Sequence, residues 1–232
     1  MFPNPWQSGG LPFLNIASTS PATRTLGPGV RGAVWVQGCS FNCPDGIAPE
    51  WIPRRISRLV KPEHLVAEIL SATDITGLTF SGGEPMLQAA GLAKLVRIAR
   101  QYRELSLICF TGFTLEQLRQ QPPGPGVTEL LAEIDILIDG QYIAARNDNR
   151  GMRGSDNQRI HYLTTKIKRD NYDFEGGSRK AEIHLGDGYA MLVGVPSFGM
   201  SEAFRHAVGK ANATLLSGVK DRELPHKKES GG

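Results

Sequence analysis

Between residues 31 and 140, short apolar runs alternate with amphipathic stretches, and this alternation leaves few folds open to the chain. Residues 31–38, 76–81, 105–111 and 135–140 read as buried strands. Residues 62–72 read as a helix with Leu65, Val66, Ile69 and Leu70 on one stripe, and Pro62 suits its first turn. Residues 88–102 repeat the pattern with Leu92, Leu95, Val96 and Ala99. Thr114 and Gln117 form a capping-box start to a short helix, which stops before the proline- and glycine-rich loop 121–126. Residues 128–133 are again helical. Strands alternating with helices call for parallel βαβ units, an α/β class, and the functional loops of such sheets lie at the carboxyl ends of the strands.

The flanks read differently. Residues 1–30 are rich in Pro, Gly, Ser and Thr and read as a segment wrapping over the surface. Residues 146–159 are polar and without period. Residues 181–185 and 189–194 read as a hairpin about Gly186-Asp187-Gly188, residues 201–208 as a short helix, and residues 224–232 as a disordered tail. The organisation expected is therefore a wrapping segment (1–30), one α/β unit (31–195), a helical extension (196–223) and the tail. A chain of 232 residues, 40% hydrophobic and 21% charged, can bury a core without staples. A formal net charge of +3 gives no argument for nucleic acid, and no apolar run is long enough to span a bilayer. The first residues lack the basic-then-apolar pattern of a secretory signal, and three cysteines argue for a reducing compartment, so a cytoplasmic location is expected.

Two turns carry chemistry. Cys39 and Cys43 follow the first expected strand, and thiolates are the soft ligands that iron–sulfur clusters use. A redox pair, a partial zinc site or two structural thiols are the plainer readings; no nearby His completes a zinc site. Gly82-Gly83-Glu84-Pro85 follows the second strand. Glycines there let a ligand approach the backbone, Glu84 offers a carboxylate to an ammonium group, and Pro85 stiffens the exit. The plainer reading is a tight turn with a helix-start carboxylate. Because Cys39 and Glu84 end consecutive strands, one shared site is expected. Gly27, Gly29 and Gly32 match G-x-G-x-x-G but precede a strand, which excludes a dinucleotide fingerprint. Cys109, inside an apolar strand, reads as an inert thiol rather than a substitute cluster ligand reaching across from another strand end, and His161 and His184, in predicted strands, as packed or surface residues. Arg146, Arg150, Arg153 and Arg159 make residues 146–159 either a solvated loop or a loop that binds peptide or anion. Asp139 and Gln141 are candidates for the site by position alone.

Taken in order over residues 15–195, WVQGCSFNCPDGIAPEW, SGGEPMLQ, the stretch around FTGFTLEQL, DILIDGQY and RGSDNQRIH resemble the glycyl-radical-enzyme activases of the radical S-adenosylmethionine (SAM) superfamily. The nearest type is the one serving anaerobic ribonucleotide reductase. The resemblance implies a partial (βα)6 barrel of parallel strands with the C-terminal β-hairpin as an extension. It implies a [4Fe–4S] cluster at Cys39 and Cys43, and SAM held by Gly82, Gly83, Glu84 and Pro85. It implies a 5′-deoxyadenosyl radical that takes a hydrogen atom from a glycine of a partner glycyl radical enzyme, contacted through Arg153, Asn157 and Gln158. An electron donor such as flavodoxin or ferredoxin belongs to that scheme; nucleic acid and membrane do not. The departure is at Gly46, where the family's C-x3-C-x2-C loop has its third cysteine. Glycine cannot ligate iron, and the neighbouring Asp45 is a harder, makeshift oxygen donor. Two readings follow: an activase whose cluster is impaired, or a non-catalytic SAM- or partner-binding module without a cluster.

Overall fold

The computed structural model describes residues 13–43, 46, 48–168, 171–186 and 188–210 in full, and residues 211–220 as helical backbone. In chain order the elements are β1 (Leu14–Thr23), β2 (Arg31–Val36), β3 (Arg58–Val60), α1 (Pro62–Ile69), β4 (Gly77–Gly82), α2 (Ala89–Tyr102) and β5 (Ser106–Phe110). There follow α3 (Leu115–Gln120), α4 (Val127–Glu133), β6 (Ile136–Asp139), β7 (Arg159–Tyr162), β8 (Ala181–Gly186), β9 (Tyr189–Gly194) and α5 (Met200–Lys220). Seven strands form one sheet in the order β3-β1-β2-β4-β5-β6-β7, and β8 and β9 form a separate antiparallel hairpin.

The middle of the sheet is parallel, from β2 through β4 and β5 to β6, and its edges are antiparallel. Both faces of the parallel strands are buried, which is why they read as nearly continuous apolar runs. Val34, Val36, Leu78, Phe80, Leu107 and Leu137 point to the face covered by α1, α2 and α4, where Leu65, Ile69, Leu92, Leu95, Val96 and Leu130 meet them. Ala33, Trp35, Ile108, Ile136 and Ile138 point to the opposite face. The capping box at Thr114 is present with both of its hydrogen bonds.

Several expectations are corrected. Residues 14–23 do not wrap over the surface: β1 lies inside the sheet between β2 and β3, with Leu14, Asn15 and Ile16 fully buried. The edge strand β3 was not anticipated, His161 lies in the strand β7 as its reading required, and α5 begins at Met200 and runs well past residue 208. Among the described residues no strand pair closes the sheet, so the fold shown is an open mixed α/β sheet with an antiparallel hairpin after it. The tip of the hairpin at Asp187 and the tail 224–232 lie outside the described residues. No described helix is long and apolar enough to cross a membrane.

At the amino ends of the parallel strands lies a fully buried arginine, Arg31. Its Nε donates to Thr79 Oγ1 at 2.7 Å and its Nη1 to Ser106 Oγ at 3.1 Å; Nη2 donates to the carbonyls of Leu78 and Ser106. This one side chain crosses from β2 over β4 to β5. Replacing it by Met fills the space but leaves those buried acceptors unpaired. Arg31→Met is expected to lose about 3 kcal/mol of stability, read as a lower midpoint in equilibrium urea unfolding.

Candidate active site

The two chemistry-bearing turns are tied together by their backbones. Val36 pairs with Gly82 at the carboxyl ends of the parallel strands β2 and β4. Beyond that pair, Gly83 N donates to Val36 O at 2.7 Å and Glu84 N to Gly38 O at 2.9 Å. A Cβ on Gly82 would sit 2.6 Å from Val36 N, and one on Gly83 2.3 Å from Gly38 O. Gly82 also has φ 101°. These glycines are therefore required by the chain's own cysteine turn, and only secondarily leave space for a ligand. The cysteine turn is held from the other side by Gly38 N to Trp51 O at 2.8 Å and Cys39 N to Ile52 O at 3.0 Å.

Cys39, Cys43, Gly46, Gly82, Gly83 and Glu84 line one pocket, so the sulfur and acid turns share a cavity as their strand positions imply. Both cysteines are unpaired and half-buried. Pro85 is buried behind the turn, where it opens a single 3-10 turn capped by Glu84. Burial pushes the Cys39 thiol up to about 11. A free thiol of that kind is a poor nucleophile at neutral pH.

Glu84 is fully buried. Its Oε1 accepts from Met86 N at 2.9 Å and Thr111 Oγ1 at 2.8 Å, and its Oε2 from Gly112 N at 2.8 Å. Among the described residues it has no ion-pair partner. Burial outweighs the three donors and pushes its carboxyl up to about 7. A carboxylate oriented by three donors and lacking a cation is suited to a cationic ligand group.

The remaining walls come from dispersed segments. Trp35 of β2 packs on Trp51 with ring centroids 5.8 Å apart, and with Leu26 and Phe110 they make an apolar wall. Phe41 lies on Gly112, where a Cβ would come within 2.5 Å of its ring. Tyr142, Gly154 and Gln158 contribute a polar rim, and Gly194 and Val195 close the side after β9. Thr111 is the site residue whose signal was in the sequence, since it ends the third expected strand. Trp51, Tyr142 and Val195 lie in segments with no period to place them.

Other candidates are placed elsewhere. Asp139 is fully buried, accepts from Leu115 N at 2.6 Å and from Arg159 Nη2 at 2.7 Å, and lies 2.9 Å from His161 Nε2; it does not line the pocket. Gln141 serves through its carbonyl, which accepts from Asn157 Nδ2 at 2.8 Å. His184 pairs with Glu182 at 2.9 Å. Cys109 is buried in the helix-side layer and is absent from the pocket lining, which removes it as a third cluster ligand. Arg153 donates to Asp148 Oδ2 at 2.8 Å, and Gln158 is consumed by Gly140 O, Gly154 N and Ser155 N. Asn157 Oδ1 is buried without a partner among the described residues. Asp45 lies outside the described residues.

The donor set stops short of a site-differentiated [4Fe–4S] cluster. Among the described residues, no three His, Cys, Asp or Glu side chains gather as a metal site. Two thiols face the pocket, and the third position is glycine. Among the described residues a Cβ at Gly46 would meet only Cys43, at 3.4 Å from its carbonyl oxygen and 3.9 Å from its Cβ, so these neighbours leave room for a side chain that glycine lacks.

Residues 25–161 match the family model of a 4Fe-4S single cluster domain. The chain belongs to the radical SAM family of activating proteins. The anaerobic ribonucleoside-triphosphate reductase-activating protein of Enterobacteria phage T4 is 28% identical over 152 residues, covering 63% of this chain and 93% of the relative. Its counterpart in Vibrio cholerae is 32% identical over 159 residues, 65% of this chain and 99% of the relative. That of Haemophilus influenzae is 30% identical over 156 residues, 64% and 97% respectively. The family match ends within β7, so β8, β9 and α5 lie beyond it.

The raised Glu84 carboxyl has a stability signature. Between the ordinary 4.5 and about 7, the folded chain keeps a proton that the unfolded chain releases, so stability falls as pH rises through that window. Glu84→Gln is expected to remove roughly 3 kcal/mol of that pH dependence, measured by urea unfolding at pH 4.5 and pH 8.

Proposed function

We propose that this chain is an activase-type radical SAM protein that has kept its SAM pocket and partner-facing loop while its cluster ligation is impaired at Gly46. The observation that carries the reading is Glu84: a fully buried, three-fold hydrogen-bonded carboxylate without a cation, at a turn bonded to the cysteine turn. In this reading Glu84 holds the SAM ammonium group and the turn at Gly82 and Gly83 borders the bound molecule. The wall of Trp35, Trp51 and Phe110 keeps water from it. Cys39 and Cys43 are two of the cluster's ligands. The loop 146–158, bearing Arg153, Asn157 and Gln158, faces the glycine-bearing segment of a glycyl radical enzyme. The relatives' names make an anaerobic ribonucleotide reductase the partner to test first. An electron donor of flavodoxin or ferredoxin type and a cytoplasmic location belong to the same reading. So does the family's partial (βα)6 barrel, with β2, β4, β5 and β6 as its parallel strands.

The incomplete donor set favours a second reading, a binding module that keeps SAM or the partner without a cluster. Anaerobic reconstitution with iron and sulfide separates the two. Gly46→Cys is expected to bring iron and sulfide to about four of each per chain and to restore a [4Fe–4S] absorption, with the unaltered chain well below both. With SAM and a reductant, the variant is expected to form 5′-deoxyadenosine at least tenfold faster. Cluster and product from neither protein would overturn the activase reading; tight SAM binding by the iron-free chain, measured by calorimetry, would then establish the module.

A further inference from the structure

The part of the chain beyond the family match reaches back to the pocket. Glu182 of β8 accepts from Arg24 N at 2.9 Å and Thr23 Oγ1 at 3.0 Å, and Thr25 Oγ1 donates to Val193 O at 3.1 Å. These bonds seat the hairpin on the end of β1 and bring Gly194 and Val195 to the pocket wall. Gly194 has φ 127°, and a Cβ there would lie 2.4 Å from Lys180 O, so this passage is fitted to glycine.

One buried cation then joins two rims of the pocket. The Arg179 side chain is 2% exposed. Its Nη2 donates to Arg153 O at 2.8 Å and Gly154 O at 3.0 Å, and its Nη1 to Pro196 O at 3.3 Å. Gly154 and Val195 are on opposite sides of that bridge, and both line the pocket. A second tie lies alongside, Phe198 N to Asn149 Oδ1 at 2.9 Å, made by a residue with φ 59°.

We propose that Arg179 is the positioning residue of a C-terminal strap that supplies the last wall of the pocket, so that access to the site is set by a part of the chain outside the matched domain. Charge-assisted bonds from one guanidinium hold the loop 146–158 and the segment after β9 at a fixed spacing. Lysine cannot replace that fork, since its single nitrogen does not span both rims. The consequence for SAM rests on the reading given above; the wall itself does not.

The test uses the full chain in a Trp6→Phe background, leaving Trp35 and Trp51 as the two tryptophans, both on the pocket wall. In Arg179→Ala, acrylamide quenching of their emission is expected to at least double. Amide exchange in residues 194–198 is expected to rise at least tenfold, with β2, β4 and β5 unchanged. Arg179→Lys should fall between. Asn149→Gly removes the second tie without backbone strain and should raise exchange in the same residues, which decides the matter if Arg179→Ala does not fold. Unchanged quenching and exchange in the variants that fold would overturn the proposal. An opened wall with at least tenfold weaker SAM binding supports strap and SAM site together. An opened wall in a chain whose parent binds no SAM leaves the strap standing and removes the SAM reading alone.

Discussion

Everything at the site depends on the backbone contact between the end of β4 and the turn after β2. Two hydrogen bonds, Gly83 N to Val36 O and Glu84 N to Gly38 O, extend the parallel ladder past the last paired residues and fold both turns over one cavity. No residue but glycine fits at Gly82 and Gly83, because a side chain would enter the partner strand. The positions of Cys39 and Glu84 are thus set by sheet geometry, and the side chains supply only the chemistry. That separation lets the scaffold stand with a residue at position 46 that carries no donor atom.

Glu84 is the costly element of this arrangement. A carboxyl taken wholly out of water and left without a cation works against folding, even with three donors on its oxygens. The chain retains it beside an apolar wall and two thiols, none of which it stabilises. In the function proposed above, an ammonium-bearing ligand supplies the counter-charge that no described residue provides.

How much of this was legible in the sequence follows from burial. β2, β4, β5 and β6 are covered on both faces, so their apolar runs announce them, and α2 shows its stripe of Leu92, Leu95, Val96 and Ala99. β1 was hidden because Ser18, Thr19, Ser20 and Pro21 interrupt it and its pairing with β2 slips twice. Its buried Asn15 also reads as a loop residue, yet that side chain accepts from Ser57 N and donates to Arg55 O, holding the segment before β3. β7 carries Arg159, whose charge is met by Glu116 and Asp139 from distant elements, and His161, which lies 2.9 Å from Asp139. At the site, Cys39, Glu84 and Thr111 were readable as strand-end residues. Trp51 and Val195 were not, since only tertiary contact brings them there. The polar character of Arg153 and Gln158 was plain, but not that Arg153 would pair with Asp148 and that Gln158 would bond to Gly140, Gly154 and Ser155.

Gly194 and Val195 follow every strand of the main sheet in the chain, yet they complete its cavity. Domains emerge from the ribosome amino end first. The sheet, both thiols and the buried acid can therefore assemble while the closing segment is still being made. Any stage of folding that precedes docking of the segment after β9 therefore leaves the chamber open-mouthed on that side.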